Sequence, residues 1–456
     1  MLNNKTVAAI STAYGKGGVA MIRISGHDAL EVALRVFKTT AKEIKPRYCY
    51  YGSILRDGDI IDDGTMTFFK GPNSYTGEDV CEICCHGGIY ATRAVLESVL
   101  SNGAIMAGAG EFTRRAYMNG KLTLSRAEAV GHVIDAKTDY QLRLSSSQAR
   151  GVLSSKIGEV REKIISLISR SYATIDYPDE DIEDNTRQDM IDTLNSVYNS
   201  VSSLKKSYKA GRAVSEGIKT AIVGKPNAGK SSLYNLLLGE DVAIVTDIAG
   251  TTRDIIENTA SIGGVTLNIA DTAGIHDTSD VVEKIGVERA KSKIENSELI
   301  LCVFDSSTSE TDEDVFIIDS VKDKTAVAII NKNDKENMLS REFESKIKST
   351  FENIVYMSAK NSDGREKLAE VIKNMYELGT IDISNDAIIS SARQFSAVSL
   401  SLESITQAKE ALEFGETPDI ICFTLEKALS ELDMIDARET SEEIVNEIFS
   451  RFCVGK

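Results

Sequence analysis

Apolar residues recur along the chain with more than one period, and the changes of period divide it. Over residues 1–118 short apolar runs, VAAIS, VAMIRIS, TMTFF and VCEICC, alternate with glycine-rich turns and with amphipathic stretches near 27–37 and 89–102. Brief strands interleaved with helices predict an α+β domain. Over 119–215 the spacing becomes helical: Ile157, Val160, Ile164, Leu167 and Ile168 recur on one face, as do Ile191, Leu194, Val197, Tyr198, Val201 and Leu204. The polar run YPDEDIED at 177–184 separates these two helices.

A third texture fills 216–378, where the apolar strands KTAIVG, TLNIAD, LILCVFD, TAVAIIN and IVYMS alternate with amphipathic helical stretches. That order predicts βα repeats around a largely parallel sheet. Residues 379–456 return to helical spacing, with Leu400, Leu402, Ile405 and Leu412 among the apolar positions. So short a tail is a poor candidate for its own core. It is expected to pack on the helices of 119–215, which makes the α/β unit an insertion in a split all-α domain.

Composition narrows the setting. At 456 residues the chain calls for about three domains. The longest apolar runs, such as LILCVF at 299–304, fall far short of the roughly 20 residues that span a bilayer, so no membrane helix is expected. MLNNKTVAAISTAYGKGG lacks the layout of a secretory signal, which predicts a cytoplasmic protein. Seven scattered cysteines do not form a disulfide framework, and the lone CEIC at 81–84 reads most simply as a strand with Cys81, Ile83 and Cys85 on one face. A net charge of −17 argues against coating nucleic acid by counterion release. Any nucleic-acid contact is then local, at runs such as 38–47 or 205–212, or is shared with a partner.

The candidate chemistry sits in the third texture. GKPNAGKS at 224–231 follows a strand and opens a helix, the context of a phosphate-binding loop. Gly224 and Gly229 let backbone N–H groups curl toward a phosphate, Lys230 reaches its outer oxygens, and the Ser231 hydroxyl is placed for Mg²⁺, within a nucleotide-binding set Asn227, Ala228, Gly229, Lys230, Ser231 and Ser232. DTAG, Asp271, Thr272, Ala273 and Gly274, closes the next strand, with Asp271 for the metal shell and Gly274 for a γ-phosphate. NKND supplies Asn331, Lys332 and Asp334, the last able to accept both N–H donors of guanine, and SAK supplies Ser358, Ala359 and Lys360. Adenine would leave buried polar groups unpaired there, at about 1–3 kcal/mol each. The order of motifs predicts a Ras-like G domain that takes GTP.

Its hydrolysis must differ from that of Ras, because Ile275 stands where Ras places a water-orienting glutamine. The loop TDIAGTTRD, comprising Thr246, Asp247, Ile248, Ala249, Gly250, Thr251, Thr252 and two further residues, can offer carbonyl oxygens to a cation while Thr252 completes the Mg²⁺ shell. Asn227 adds a neutral oxygen. Such donors suit K⁺, which could supply the charge an arginine supplies elsewhere. Glu283 is a candidate water-orienting acid.

GKGGVAMIRISG, GPNSYTGEDVCEICCHGG, GEFTRRAYMNGKLTLSRAEAV, DYPDEDIE, the G-domain motifs with TDIAGTTRD and a final FCVGK together resemble the bacterial tRNA modification GTPases of the MnmE (TrmE) family, over about residues 7–456. The resemblance implies a folate-binding N-terminal domain that forms a homodimer, and a G domain that pairs in a K⁺- and GTP-dependent way. It also implies an FAD-dependent partner, MnmG (GidA), in a heterotetramer or larger complex acting on tRNA. The joint product would be a carboxymethylaminomethyl or aminomethyl group on C5 of the wobble uridine, its one-carbon unit drawn from a tetrahydrofolate in 5-formyl or 5,10-methylene form. By position, Asn227, Thr246, Ile248 and Thr251 match K⁺ ligands, Ser231 and Thr252 match Mg²⁺ ligands, and Glu283 matches the catalytic acid beside Lys230. Arg23, Glu82, Lys121 and Lys456 match folate contacts, and Cys453 matches the motif cysteine of the modification site. Tyr14, Lys16 and Val454 depart from common members, which touches only folate affinity.

The ending RFCVGK does not fit a lipid anchor, since the last residue is lysine and no polybasic run precedes it. Phe452 and Val454 are expected to dock, so that the tail folds back through the helical domain and presents Cys453 to the folate. Two rival readings remain at this level. One is a ribosome-assembly GTPase switch that binds rRNA; the other is a folate-dependent one-carbon enzyme that needs no G-domain cycle.

Overall fold

Strand alternation builds the first hundred or so residues of the computed structural model, which describes residues 5–176, 187–238, 258–269, 291–436, 442–450 and 452–455. The chain separates into two units, Met1–Gly131 with Asp433–Lys456, and His132–Leu432.

In the first unit β1 (Val7–Ile10), β2 (Val19–Ser25), β3 (Phe37–Lys38), β4 (Cys49–Arg56), β5 (Asp59–Phe69), β6 (Val80–His86) and β7 (Ile105–Met106) form one sheet. Its order is β3-β4-β5-β6-β2-β1-β7, antiparallel except where β7 runs beside β1. Ala20, Ile22 and Ile24 of β2 and Cys81, Ile83 and Cys85 of β6 point into one core, with helices Ala29–Val36 and Ile89–Ser101 packed over them. The cysteines therefore face inward, as the alternation predicted. Burial raises the Cys81 thiol and pushes Cys85 up to about 11, which keeps both protonated. No cluster of potential metal ligands occurs among the described residues.

Of the long β4–β5 hairpin, only TMTFF, the last five residues of β5, is among the strands expected from the apolar runs. Acidic residues and glycines interrupt its alternation, and its turn, Asp57–Gly58, has φ of 52° and 93°. Two residues with positive φ give the primed turn whose twist matches a hairpin. The Asp-Gly pair was the available signal. Beyond the sheet, helices Glu111–Met118, Leu124–Asp135 and Glu442–Ser450 share a small core of Leu124, Ala127, Val445 and Phe449.

In the second unit, helix Ala392–Phe414 packs along helix Arg187–Ser215, with the Tyr208 and Phe395 rings stacked at 4.3 Å. A side chain at Gly211 would meet the Ile389 carbonyl, and Arg187 Nη2 donates to the carbonyls of Leu412 and Glu413 at 2.8 and 2.9 Å. Chain from before and after the α/β unit is thus packed together, which makes that unit an insertion. Its sheet comprises β8 (Ile218–Val223), β9 (Asn258–Ile262), β10 (Val265–Ile269), β11 (Leu299–Asp305), β12 (Ala326–Asn331) and β13 (Asn353–Tyr356), in the order β13-β12-β11-β8-β10-β9. All neighbours are parallel except β9 and β10. Every residue of β11 is buried, as expected of a central strand covered on both faces. Beta-strand β9, with the polar sequence NTASI, was not anticipated and forms the sheet edge. The loops after β8, β11, β12 and β13 gather at one end of the sheet, where α/β folds bind ligands.

Candidate functional sites

The loop after β8 is shaped by its glycines. A side chain at Gly224 would collide with the Val303 carbonyl, and one at Gly229, φ 102°, with the Asn331 amide. Lys230 begins helix Lys230–Leu238, and its Nζ curls over the loop to donate to the carbonyls of Gly224 and Lys225, both at 2.8 Å. An ammonium held there has its charge in the concavity that amide groups line, ready for a phosphate. Ser231 and Ser232 follow in the first helical turn, half-buried and exposed respectively.

One buried side chain ties three motifs together. Asn331 closes β12, donates through Nδ2 to the Ala228 carbonyl at 2.8 Å, and accepts the Ala359 amide on Oδ1 at 3.0 Å. The phosphate loop, NKND and SAK are thereby fixed to one another. Lys332 reaches the Asn227 carbonyl at 2.8 Å. Asp334 is exposed, and the adjoining Ser358 hydroxyl, helped by Lys335 and Lys360, holds its carboxyl below the ordinary aspartate range. It is ionised at neutral pH, the state that accepts two N–H donors.

Sequence reasoning passed over Asp305, Lys225 and Asp314. Asp305 pairs with Lys332 at 2.6 Å, while buried Lys225 pairs with Asp314 at 2.9 Å and donates to the Ser309 carbonyl at 3.0 Å. The signal was modest: an aspartate ends the apolar run LILCVFD. Thr246, Asp247, Ile248, Ala249, Gly250, Thr251, Thr252, Asp271, Thr272, Ala273, Gly274, Glu283 and Lys456 lie outside the described residues.

A second cluster occupies the first unit. Arg23 and Glu82 stand opposite each other on β2 and β6, and Nε and Nη2 of the arginine donate to Glu82 Oε1 at 2.9 and 2.8 Å. The guanidinium lies 5.5 Å from the ring centroids of both Tyr75 and Phe112. Arg23 thus neutralises Glu82 and faces two aromatic walls; it is not a free cation. Tyr75 and Phe112 were not singled out beforehand, although GPNSYTGED and GEFTRR carry them. Lys121 Nζ donates to the Pro72 carbonyl at 2.9 Å and borders a cavity of about 380 Å³ together with Tyr117, Thr123, Arg126 and Asp436.

The tail docks on the N-terminal domain itself. Gly110 donates to the Cys453 carbonyl at 3.3 Å, Val454 bridges antiparallel to Ala109, and Ser11 Oγ donates to the Gly455 carbonyl at 2.8 Å. Phe452 is half-buried, 5.3 Å from the Phe449 ring and against Gly131. Val454, expected to dock by its side chain, is 52% exposed. Its backbone makes the contact. The Cys453 residue is exposed, and Gly110 opens the helix that carries Phe112, so the tail and the Arg23–Glu82 pair flank one helix start.

A family profile described as the GTP-binding protein TrmE N-terminus matches residues 6–121, and one for the MnmE helical domain matches 124–453, across both sides of the inserted unit. The tRNA modification GTPase MnmE of Clostridioides difficile (strain 630) is 42% identical over the whole of both chains. Its counterpart from Thermoanaerobacter pseudethanolicus is 40% identical over 99% of each. No helix among the described residues is long and apolar enough to cross a membrane. With helical segments on either side of a phosphate-loop unit and matches that run from end to end, the chain belongs to the MnmE (TrmE) family of tRNA modification GTPases.

Proposed function

We propose that this chain hydrolyses GTP to GDP and phosphate and uses the cycle to drive modification of the wobble uridine of certain tRNAs. The observation that carries the reading is the Asn331 amide bridging the phosphate loop and the SAK loop beside an ionised Asp334, a constellation built for a guanine nucleotide. Family membership favours this over a ribosome-assembly switch.

In the hydrolytic step, Lys230 neutralises the outer phosphate oxygens, Asp334 selects the base, and Glu283 orients water. Ser231 and Thr252 would hold Mg²⁺, and Asn227, Thr246, Ile248 and Thr251 would hold K⁺; bound there, the ions would supply positive charge against the negative charge of the transition state. Asn227 fits such a role: its carbonyl is already taken by Lys332, and its exposed side-chain amide keeps an uncharged oxygen available. In the N-terminal domain, Glu82 and the exposed Tyr75 ring, backed by the buried Phe112, suit a flat ring with polar edges, as a tetrahydrofolate presents, and Lys121 and Lys456 suit its carboxylates. Cys453 borders that site from the tail. The full reaction also takes a homodimer of this chain and the flavoprotein MnmG, in the cytoplasm, with the folate supplying the one-carbon unit.

GTP turnover in KCl is expected to exceed that in NaCl by at least roughly tenfold at equal ionic strength. Equal rates would remove K⁺ from the mechanism. Nucleoside mass spectrometry of tRNA from a deletion strain, with and without the complementing gene, reads the modification: an unchanged wobble uridine profile would sink the tRNA reading.

A further inference from the structure

The ends of β11 and β12 lie side by side, with Asp305 directly in register with Asn331. Asp305 is only 3% exposed. Its Oδ2 accepts from Lys332 Nζ at 2.6 Å, and its Oδ1 accepts from the Ser307 amide at 2.9 Å and hydroxyl at 2.7 Å. Burial opposes the charge on this carboxyl, but the Lys332 ammonium and the Ser307 donors outweigh it and hold it below the ordinary range. The same ammonium donates to the Asn227 carbonyl at 2.8 Å. Asn227 and Lys332 both have left-handed backbones, with φ of 60° and 63°. Such a conformation is unfavourable for a non-glycine residue and persists only where the surroundings impose it.

We infer that Asp305 is a positioning residue for nucleotide binding: by fixing Lys332 against the Asn227 carbonyl, it keeps the phosphate loop curled before nucleotide arrives. The inference rests on the reading of this unit as a GTP site. A lysine on its own is a flexible arm, and each hydrogen bond it makes must overcome the freedom lost by its stem. A buried carboxylate removes most of that freedom in advance. The other end of the loop has its own anchor, Lys225 with Asp314 and the Ser309 carbonyl. The Asn227 end depends on Lys332, and Lys332 on Asp305.

Asp305→Asn keeps an oxygen for Ser307 but removes the charge that pins Lys332. Binding of a fluorescent GDP to the full chain in Mg²⁺ buffer is expected to weaken roughly tenfold, with the KM for GTP rising by a similar factor and kcat staying within about twofold. Lys332→Met should weaken binding as well, and the double variant should bind no worse than the weaker single one, because both changes cut the same link. Asp305→Ser repeats the measurement if the asparagine variant does not fold. Wild-type GDP affinity in the variant alongside a lowered melting temperature would make Asp305 structural only and overturn the inference; so would multiplying effects in the double variant. A wild-type chain that bound no GDP would fail in a recognisably different way, bringing down the GTP-site reading and this inference with it.

Discussion

The nucleotide site and the tail cluster are assembled by opposite strategies. At the nucleotide site each loop carries a contiguous motif, and the sheet brings four strand ends to one place, so that among the described residues a few side chains complete the long-range work: Asn331, Lys332 with Asp305, and Lys225 with Asp314. The tail cluster draws Arg23, Glu82, Phe112 and Cys453 from both ends of the chain. None of those residues is distinctive alone. A site of the first kind can be read from residue chemistry; one of the second kind appears only when backbone meets backbone, at Gly110 and Cys453 or at Ala109 and Val454.

Two glycines allow the comparison to be broken most directly, because both have φ of 102° and both sit where a side chain would collide. The larger effect is expected at Gly229→Ala. The added carbon would run into Asn331, a buried amide already committed to Ala228 and Ala359, so the phosphate loop and the base-recognition loops would be displaced together. GDP affinity should fall by at least about 100-fold, and tRNA modification should be lost with it. Retention of affinity within about threefold, read by titration with fluorescent GDP, would show that these loops are not coupled through Asn331.

Gly455→Ala is expected to separate the two sites. Here the obstacle is the Ile10 carbonyl, part of β1, which cannot swing aside as a side chain can. The tail should detach locally, at a cost of about 1–3 kcal/mol to its docking, and wobble-uridine modification should drop roughly tenfold. GTP turnover should stay within about twofold of wild type. Loss of GTP turnover in this variant, with its melting temperature unchanged, would show that the tail cluster and nucleotide site are one functional system.

Legibility followed the same division. Apart from the polar edge strand β9, the strands of the α/β unit announced themselves through apolar runs bounded by motif loops, and the inward-facing Cys81 and Cys85 followed from alternation alone. Of the β4–β5 hairpin only TMTFF showed; the rest stayed hidden because Asp59, Asp62 and Asp63 break that alternation, leaving Asp57–Gly58 as the signal of its turn. Asp305 was overlooked because its importance depends on register with Asn331, which no local pattern encodes. Val454 was expected to dock by its apolar side chain, yet what holds the tail is a positive-φ glycine and a serine hydroxyl, features whose meaning depends on where Ile10 and Ser11 lie. Arg23 and Glu82 were legible only through resemblance.

The smallest effect expected is confined to the N-terminal domain. His86 Nδ1 lies 2.6 Å from Asp62 Oδ1, and the His86 amide donates to Asp62 Oδ2 at 2.9 Å, joining β6 to the acidic part of the hairpin that sequence patterning missed. The hydrogen bond to Asp62, and then its charge, raises His86 above the ordinary histidine value of about 6.5. The folded state therefore binds this proton more tightly than the unfolded one. Its stabilising contribution is fully present below the unfolded pKa and is lost as pH rises through the folded pKa. The ring is exposed, so solvent screens the pair and the dependence should be shallow. Melting temperatures of wild type and His86→Gln should differ most near pH 6 and converge by about pH 8, while GTP turnover in the two proteins stays parallel across the range. A constant offset in melting temperature would mean that the imidazole acts through packing and that its proton contributes nothing, leaving the backbone bond to Asp62 as the feature that registers the hairpin.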